Sequence, residues 1–92
     1  MKNKVYIIGP ASSGKTTFMH KMINKDYAMF KDNIIESTTI PENIDDALQV
    51  YLILPEKEEL EKRGGNITED ELEKYMEFYY KNATSVLIVE DF

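Results

Sequence analysis

Four short apolar runs punctuate the chain. The first, Lys4-Val5-Tyr6-Ile7-Ile8, ends at Gly9. The second, Asn33-Ile34-Ile35-Glu36, stops at a Ser/Thr cluster. The third, Leu48-Gln49-Val50-Tyr51-Leu52-Ile53-Leu54, stops at Pro55, and Ser85-Val86-Leu87-Ile88-Val89 closes the chain. All are rich in Val, Ile, Leu or Tyr, and three are nearly continuous rather than alternating. Continuous runs suit strands covered on both faces, as in a parallel sheet.

Helical spacing fills the intervals. Residues 15–24 put Phe18, Met19, Met22 and Ile23 on one face. Pro55, followed by Glu56, Lys57, Glu58 and Glu59, reads as a helix start with proline in the first position and acids in the first turn. That helix is expected to run to Arg63 and break at Gly64-Gly65. Thr68-x-x-Glu71 is a capping box, and behind it Leu72, Tyr75, Met76 and Tyr79 form an apolar stripe reaching about Asn82. Phe78 and Tyr80 fall off that stripe and are read as a candidate homodimer face. Strands alternating with helices predict the α/β class, a three-layer sandwich around a mostly parallel four-stranded sheet. Residues 39–47 are a tight link between the second and third strands. Parallel crossovers usually take about 10–12 residues including a helix. The link therefore implies one helical turn over residues 43–47, or else an antiparallel second strand at the sheet edge.

Composition narrows the classes. Ninety-two residues suit a single domain, 1–92, with a thin core. No apolar run is long enough for a membrane span, and the N-terminal apolar stretch is too short for a signal peptide, so a cytoplasmic protein is expected. The absence of cysteine excludes disulfides, thiolate zinc sites and a cysteine nucleophile, and the single histidine, His20, excludes a multi-histidine metal site. A net charge of −6 argues against a broad basic surface for duplex nucleic acid, though not against one local phosphate pocket.

The strongest chemical signal is Gly9-Pro10-Ala11-Ser12-Ser13-Gly14-Lys15-Thr16, which meets the pattern G-x-x-x-x-G-K-[ST] at every defined position. An apolar strand leads in and an amphipathic helix leads out, the context such a loop requires. Glycines at 9 and 14 permit close backbone approach. Successive N–H groups of Ala11, Ser12, Ser13, Gly14, Lys15, Thr16 and Thr17 then line a concavity for phosphate oxygens at a helix N-terminus. The Lys15 ammonium would reach the terminal phosphates of ATP, and the Thr16 hydroxyl would hold Mg²⁺. The other two glycines, Gly64 and Gly65, follow Arg63, the only arginine in the chain. An arginine at a flexible turn is placed to meet a phosphate as charge develops; the plainer alternative is a cation closing a helix.

With these residues in view, the chain resembles the P-loop nucleoside and nucleotide kinases, nearest to deoxynucleoside and thymidylate kinases. Val50-Tyr51-Leu52-Ile53-Leu54-Pro55-Glu56 and Leu60-Glu61-Lys62-Arg63-Gly64 are similar to that family's fourth strand and lid, residues 67–80 to its next helix, and residues 86–89 to its last strand. The resemblance implies that Glu36, ending the second strand, is an acidic base or substrate ligand, and that Arg63 is a lid arginine. It implies a sheet ordered second, first, third, fourth strand. The family's third strand with its Asp-Arg pair has no counterpart, since no Asp-Arg dipeptide occurs here.

Lesser features carry less. Glu90-Asp91 could end a Walker B strand, or could be solvated acids after a buried strand. Asn24-Lys25-Asp26 has the residue types of a guanine motif but the wrong spacing, and His20 falls on the exposed side of its helix. The expected function is ATP binding with Mg²⁺-dependent phosphoryl transfer to a nucleoside or nucleotide, catalysed through Lys15, Glu36 and Arg63. A non-catalytic nucleotide-binding module (a sensor, inhibitor or assembly part) is the alternative. An ATPase or GTPase switch ranks third for want of a clear Walker B acid. The expected partners are the nucleotide, a nucleoside or nucleoside monophosphate acceptor, and a second copy that would complete the pocket wall.

Overall fold

In the computed structural model, which describes residues 2–24 and 28–91, the elements follow the order β1 (Lys4–Ile8), α1 (Lys15–Ile23), a 3₁₀ helix (Ala28–Asn33), β2 (Ile34–Ser37), β3 (Ala47–Ile53), α2 (Lys57–Lys62), α3 (Glu69–Lys81) and β4 (Val86–Val89). The strands form one sheet in the order β2-β1-β3-β4, with every neighbouring pair parallel. This is the α/β class and the strand order expected. Lys25 and Asp26 lie outside the described residues, and Asn24 is the C-cap of α1.

The continuous apolar runs have the predicted cause. Side chains alternate between the two faces of a strand, so a central strand needs apolar residues at every position. On one face Val5, Ile7 and Ile53 pack against Met22, with Phe18 and Met19 of α1 alongside. On the other, Tyr6, Ile8, Val50 and Leu52 pack against Tyr75 and Phe78 of α3. In the middle of the sheet Val5, Ile7, Ile8, Val50, Leu52 and Ile53 are completely buried. The edge strands are less covered: Glu36 of β2 and Leu87 of β4 face solvent.

Four local expectations require correction. Pro55 is not the first residue of α2; Glu56 is the N-cap, so the proline sits just outside the helix. Residues 43–47 make no helical turn. Asn43 Oδ1 accepts from the Asp45 amide, Ala47 N–H donates to the Ile44 carbonyl, and this turn takes the chain straight into β3. The crossover remains parallel without a helix because Ile40 and Ile44 themselves pack on the α3-side core. Phe78 is buried in the core, whereas Leu72 of the expected stripe is 41% exposed. The sheet meets α3 along a stripe through Tyr75 and Phe78, three residues apart, and Phe78 leaves the candidate dimer face; Tyr80 stays 70% exposed. Among the described residues no helix is long and apolar enough to cross a membrane.

The capping box of α3 is formed as read. The Thr68 hydroxyl accepts from the Glu71 amide, and Glu71 Oε1 accepts from the Thr68 amide. α2 ends in a Schellman motif: Gly64 N–H donates to Glu61 O and Gly65 N–H to Leu60 O, with Gly64 at φ +84°.

Candidate functional site

β1 delivers the chain to the loop at the carboxyl edge of the sheet, where open α/β sheets bind ligands. Gly9 is required there. A Cβ at that position would stand 2.5 Å from the Ile53 carbonyl oxygen and 3.0 Å from Ser13 Oγ, so the loop can lie against β3 only without a side chain. The Gly9 amide donates to the Ser37 carbonyl, which holds the end of β2 against the start of the loop.

The loop then turns into α1 through Ser12, at φ +64°, and Gly14, at φ +98°. Gly14 is the N-cap of α1 and supplies no side-chain cap, and no acid lies in the first turn. The other two α-helices differ: α2 carries Glu58 and Glu59 in its first turn, and α3 has three acids and a capping box. An uncapped N-terminus presents unpaired amides and the positive end of a helix dipole. In a chain of net charge −6, the start of α1 is thus locally suited to an anion.

Lys15 reaches back over the loop. Its ammonium donates to the carbonyls of Gly9 at 2.8 Å and Pro10 at 2.7 Å. Burial pushes its pKa down, and the nearby Glu36 carboxylate partly opposes that shift. Thr16 Oγ1 donates to Glu36 Oε1 at 2.8 Å. Arg63 Nη1 donates to the Ser13 carbonyl at 2.7 Å, while Nε pairs with Glu59 at 3.3 Å. Ser12, Gly14, Lys15, Thr16, Thr17 and Arg63 line one hollow of about 370 Å³.

Three residues singled out from sequence therefore converge on the phosphate loop: Lys15 within it, Glu36 through Thr16, and Arg63 through Ser13. Gly9, Ala11 and Ser13 build the loop without lining the hollow. The Ser13 side chain is fully buried, and its hydroxyl lacks a hydrogen-bond partner. Glu90 and Asp91 are not part of this site. β3 lies between β4 and β1, and the two acids line a separate hollow with Glu56, Glu59 and Arg63. A larger hollow of about 600 Å³ between the β2–β3 crossover and α3 shares no lining residue with the loop.

The role of Gly65 was hidden in the sequence. A Cβ there would stand 2.7 Å from the Ala11 carbonyl and 3.1 Å from Ser12 Cβ, so the end of α2 is seated directly on the phosphate loop. Its only sequence signal was its place beside the lone arginine.

The donor set fits a polyphosphate: one ammonium, one guanidinium and an uncapped helix N-terminus around a single opening. A hydroxyl and a carboxylate in contact at its rim are hard oxygen donors of the kind Mg²⁺ takes alongside phosphate oxygens. Among the described residues, no group of three or more His, Cys, Asp or Glu side chains could hold a metal ion by itself. No protein-family model, curated protein or solved structure matches this chain.

Proposed function

We propose that residues 9–16 hold the polyphosphate of a nucleoside triphosphate, taken as ATP with Mg²⁺, and that the chain transfers the terminal phosphoryl group to a nucleoside or nucleotide. The observation that carries this reading is the meeting of Lys15, Thr16 and Arg63 around one opening at an uncapped helix N-terminus. A structural turn needs neither the lysine nor the hydroxyl. The resemblance to deoxynucleoside and thymidylate kinases supports the same reaction class.

Each group then has a task. The loop amides bind and orient phosphate oxygens. Lys15 exchanges the Gly9 and Pro10 carbonyls for phosphate oxygens, which offsets the cost of burying its charge. Arg63 stabilises the negative charge of the group in transfer. Thr16 and Glu36 would hold Mg²⁺, which when bound neutralises phosphate charge and polarises the phosphoryl oxygens. In the kinase family the position of Glu36 also serves the acceptor hydroxyl. A hollow of about 300 Å³ lined by Thr38, Thr39, Ile40, Glu71, Lys74 and Tyr75 opens just beyond the end of β2 and is the candidate acceptor side.

A second reading, a non-catalytic nucleotide-binding module, is favoured by one observation. The Arg63 guanidinium already has partners in Ser13 and Glu59, so it serves the loop before it serves a substrate.

ADP with Mg²⁺ is expected to raise the melting temperature, and Lys15→Ala is expected to abolish the rise. Loss of the charge-assisted contacts is worth about 3 kcal/mol, on the order of 100-fold in affinity. No shift with any nucleoside triphosphate at millimolar concentration would end both readings. Labelled ATP mixed with a panel of nucleosides and monophosphates separates them. A labelled product that Arg63→Ala diminishes supports the kinase; ADP binding with no product from any acceptor leaves the module.

A further inference from the structure

β2 alternates across the sheet. Ile34 packs with the α1-side core and Ile35 with the α3-side core, so Glu36 returns to the α1 side. There it meets the second residue of α1, whose hydroxyl it accepts at 2.8 Å. The pairing Ile7↔Glu36 and the bond from the Gly9 amide to Ser37 O lock its backbone to the strand that becomes the phosphate loop. Glu36 is thus an exposed carboxylate held against Thr16, one of the residues that line the hollow.

A carboxylate in that place has an electrostatic consequence. Facing a polyphosphate with nothing between, it repels the ligand. With a divalent cation between, the same charge becomes attractive, because the cation is shared by carboxylate, hydroxyl and phosphate oxygens. Four other acids, Glu56, Glu59, Glu90 and Asp91, line a hollow with Arg63 that contains no residue of the loop.

We propose that Glu36 is a cation-side carboxylate that makes nucleotide binding conditional on a divalent metal: it disfavours the free nucleotide and favours the metal complex. This differs from the base or substrate-ligand role that the kinase resemblance gives this position. It rests on the nucleotide-binding reading above.

The test is calorimetric titration of the full chain with ADP, once with excess Mg²⁺ and once in EDTA. The readout is the ratio of the two affinities. Glu36→Gln keeps the shape and removes the charge, so metal-free ADP should bind more tightly than to the wild type and Mg²⁺–ADP less tightly. The ratio should fall by about tenfold or more. Glu36→Asp, which keeps the charge, should recover part of it. A structural role would move both affinities in the same direction, and a role as acceptor base would leave the ratio unchanged; either result overturns the proposal. Should Glu36→Gln fail to fold, Mn²⁺–ADP bound to Glu36→Asp provides a second readout. Its bound-metal electron paramagnetic resonance spectrum should differ from that of the wild type, and an identical spectrum overturns the proposal. If wild-type protein gives no heat with ADP in either condition, the nucleotide reading itself has failed, an outcome distinct from wild-type binding with an unaltered ratio.

Discussion

Gly9 and Ser13 lie on the same loop and respond to substitution in opposite ways. A methyl group on Gly9 would meet the Ile53 carbonyl at 2.5 Å, and a backbone oxygen of a central strand cannot move aside. Gly9→Ala is expected to cost about 2–3 kcal/mol through overpacking, read as a lower midpoint in urea. Ser13 is buried with an unpartnered hydroxyl, so Ser13→Ala removes a polar group that pays desolvation with no bond in return. It should be neutral or stabilising by up to about 1 kcal/mol in the same measurement. The motif announced Gly9, Gly14, Lys15 and Thr16 because a phosphate cradle demands those residue types. It was silent on which hydroxyl turns inward, because that depends on where β3 passes beneath the loop.

Helix ends show the same division. The capping box at Thr68 and Glu71 was legible because both partners lie within one turn, and its bonds are formed. Thr68→Ala should cost about 1 kcal/mol, measured by urea unfolding. α2 is different. Its six residues make a weak helix alone, yet Leu60 is almost fully buried and Gly65 is seated on the loop. Gly65→Ala should lift the end of α2 from Ala11 and Ser12 and carry Arg63 away from Ser13. ADP affinity should then fall by about tenfold, a larger effect than a surface substitution on α2 would give. The burial of Phe78 in place of Leu72 has a plain cause. A helix with apolar residues on two overlapping stripes can bury one or the other, and the position of the sheet chooses between Leu72 and Phe78.

Taken together, the elements place the candidate binding loop and an anchoring cluster at opposite edges of one sheet. Residues 9–16 occupy the carboxyl edge. At the amino edge Asp46 ties β1 to the turn before β3: Tyr6 Oη donates to it at 2.8 Å, Lys4 Nζ pairs with it at 3.2 Å, and its carbonyl accepts from the amides of Asn3 and Lys4. The Tyr6 hydroxyl, and after it Lys4, holds the Asp46 carboxyl below its ordinary value. A carboxyl whose pKa is depressed by folding contributes stability that is present above its unfolded value, about 3.9, and is lost as the pH falls through its folded value. The melting temperature of Asp46→Asn should therefore lie below that of the wild type at neutral pH. The gap should close as the pH drops below the ordinary carboxylate range, and a gap that stayed constant would show that the charge is not involved.

The class and the candidate loop were written in local features: continuous apolar runs at β1 and β3, helical spacing between them, and one eight-residue motif; the strand order came only with the kinase resemblance. Such features are encoded in neighbouring residues and survive without knowledge of the rest. The pairing of Thr16 with Glu36, the grip of Arg63 on Ser13 and the seat of Gly65 on Ala11 join residues 20, 50 and 54 positions apart. No local spacing encodes them, because each exists only after a parallel sheet has brought β1, β2 and β3 side by side and aligned their carboxyl ends.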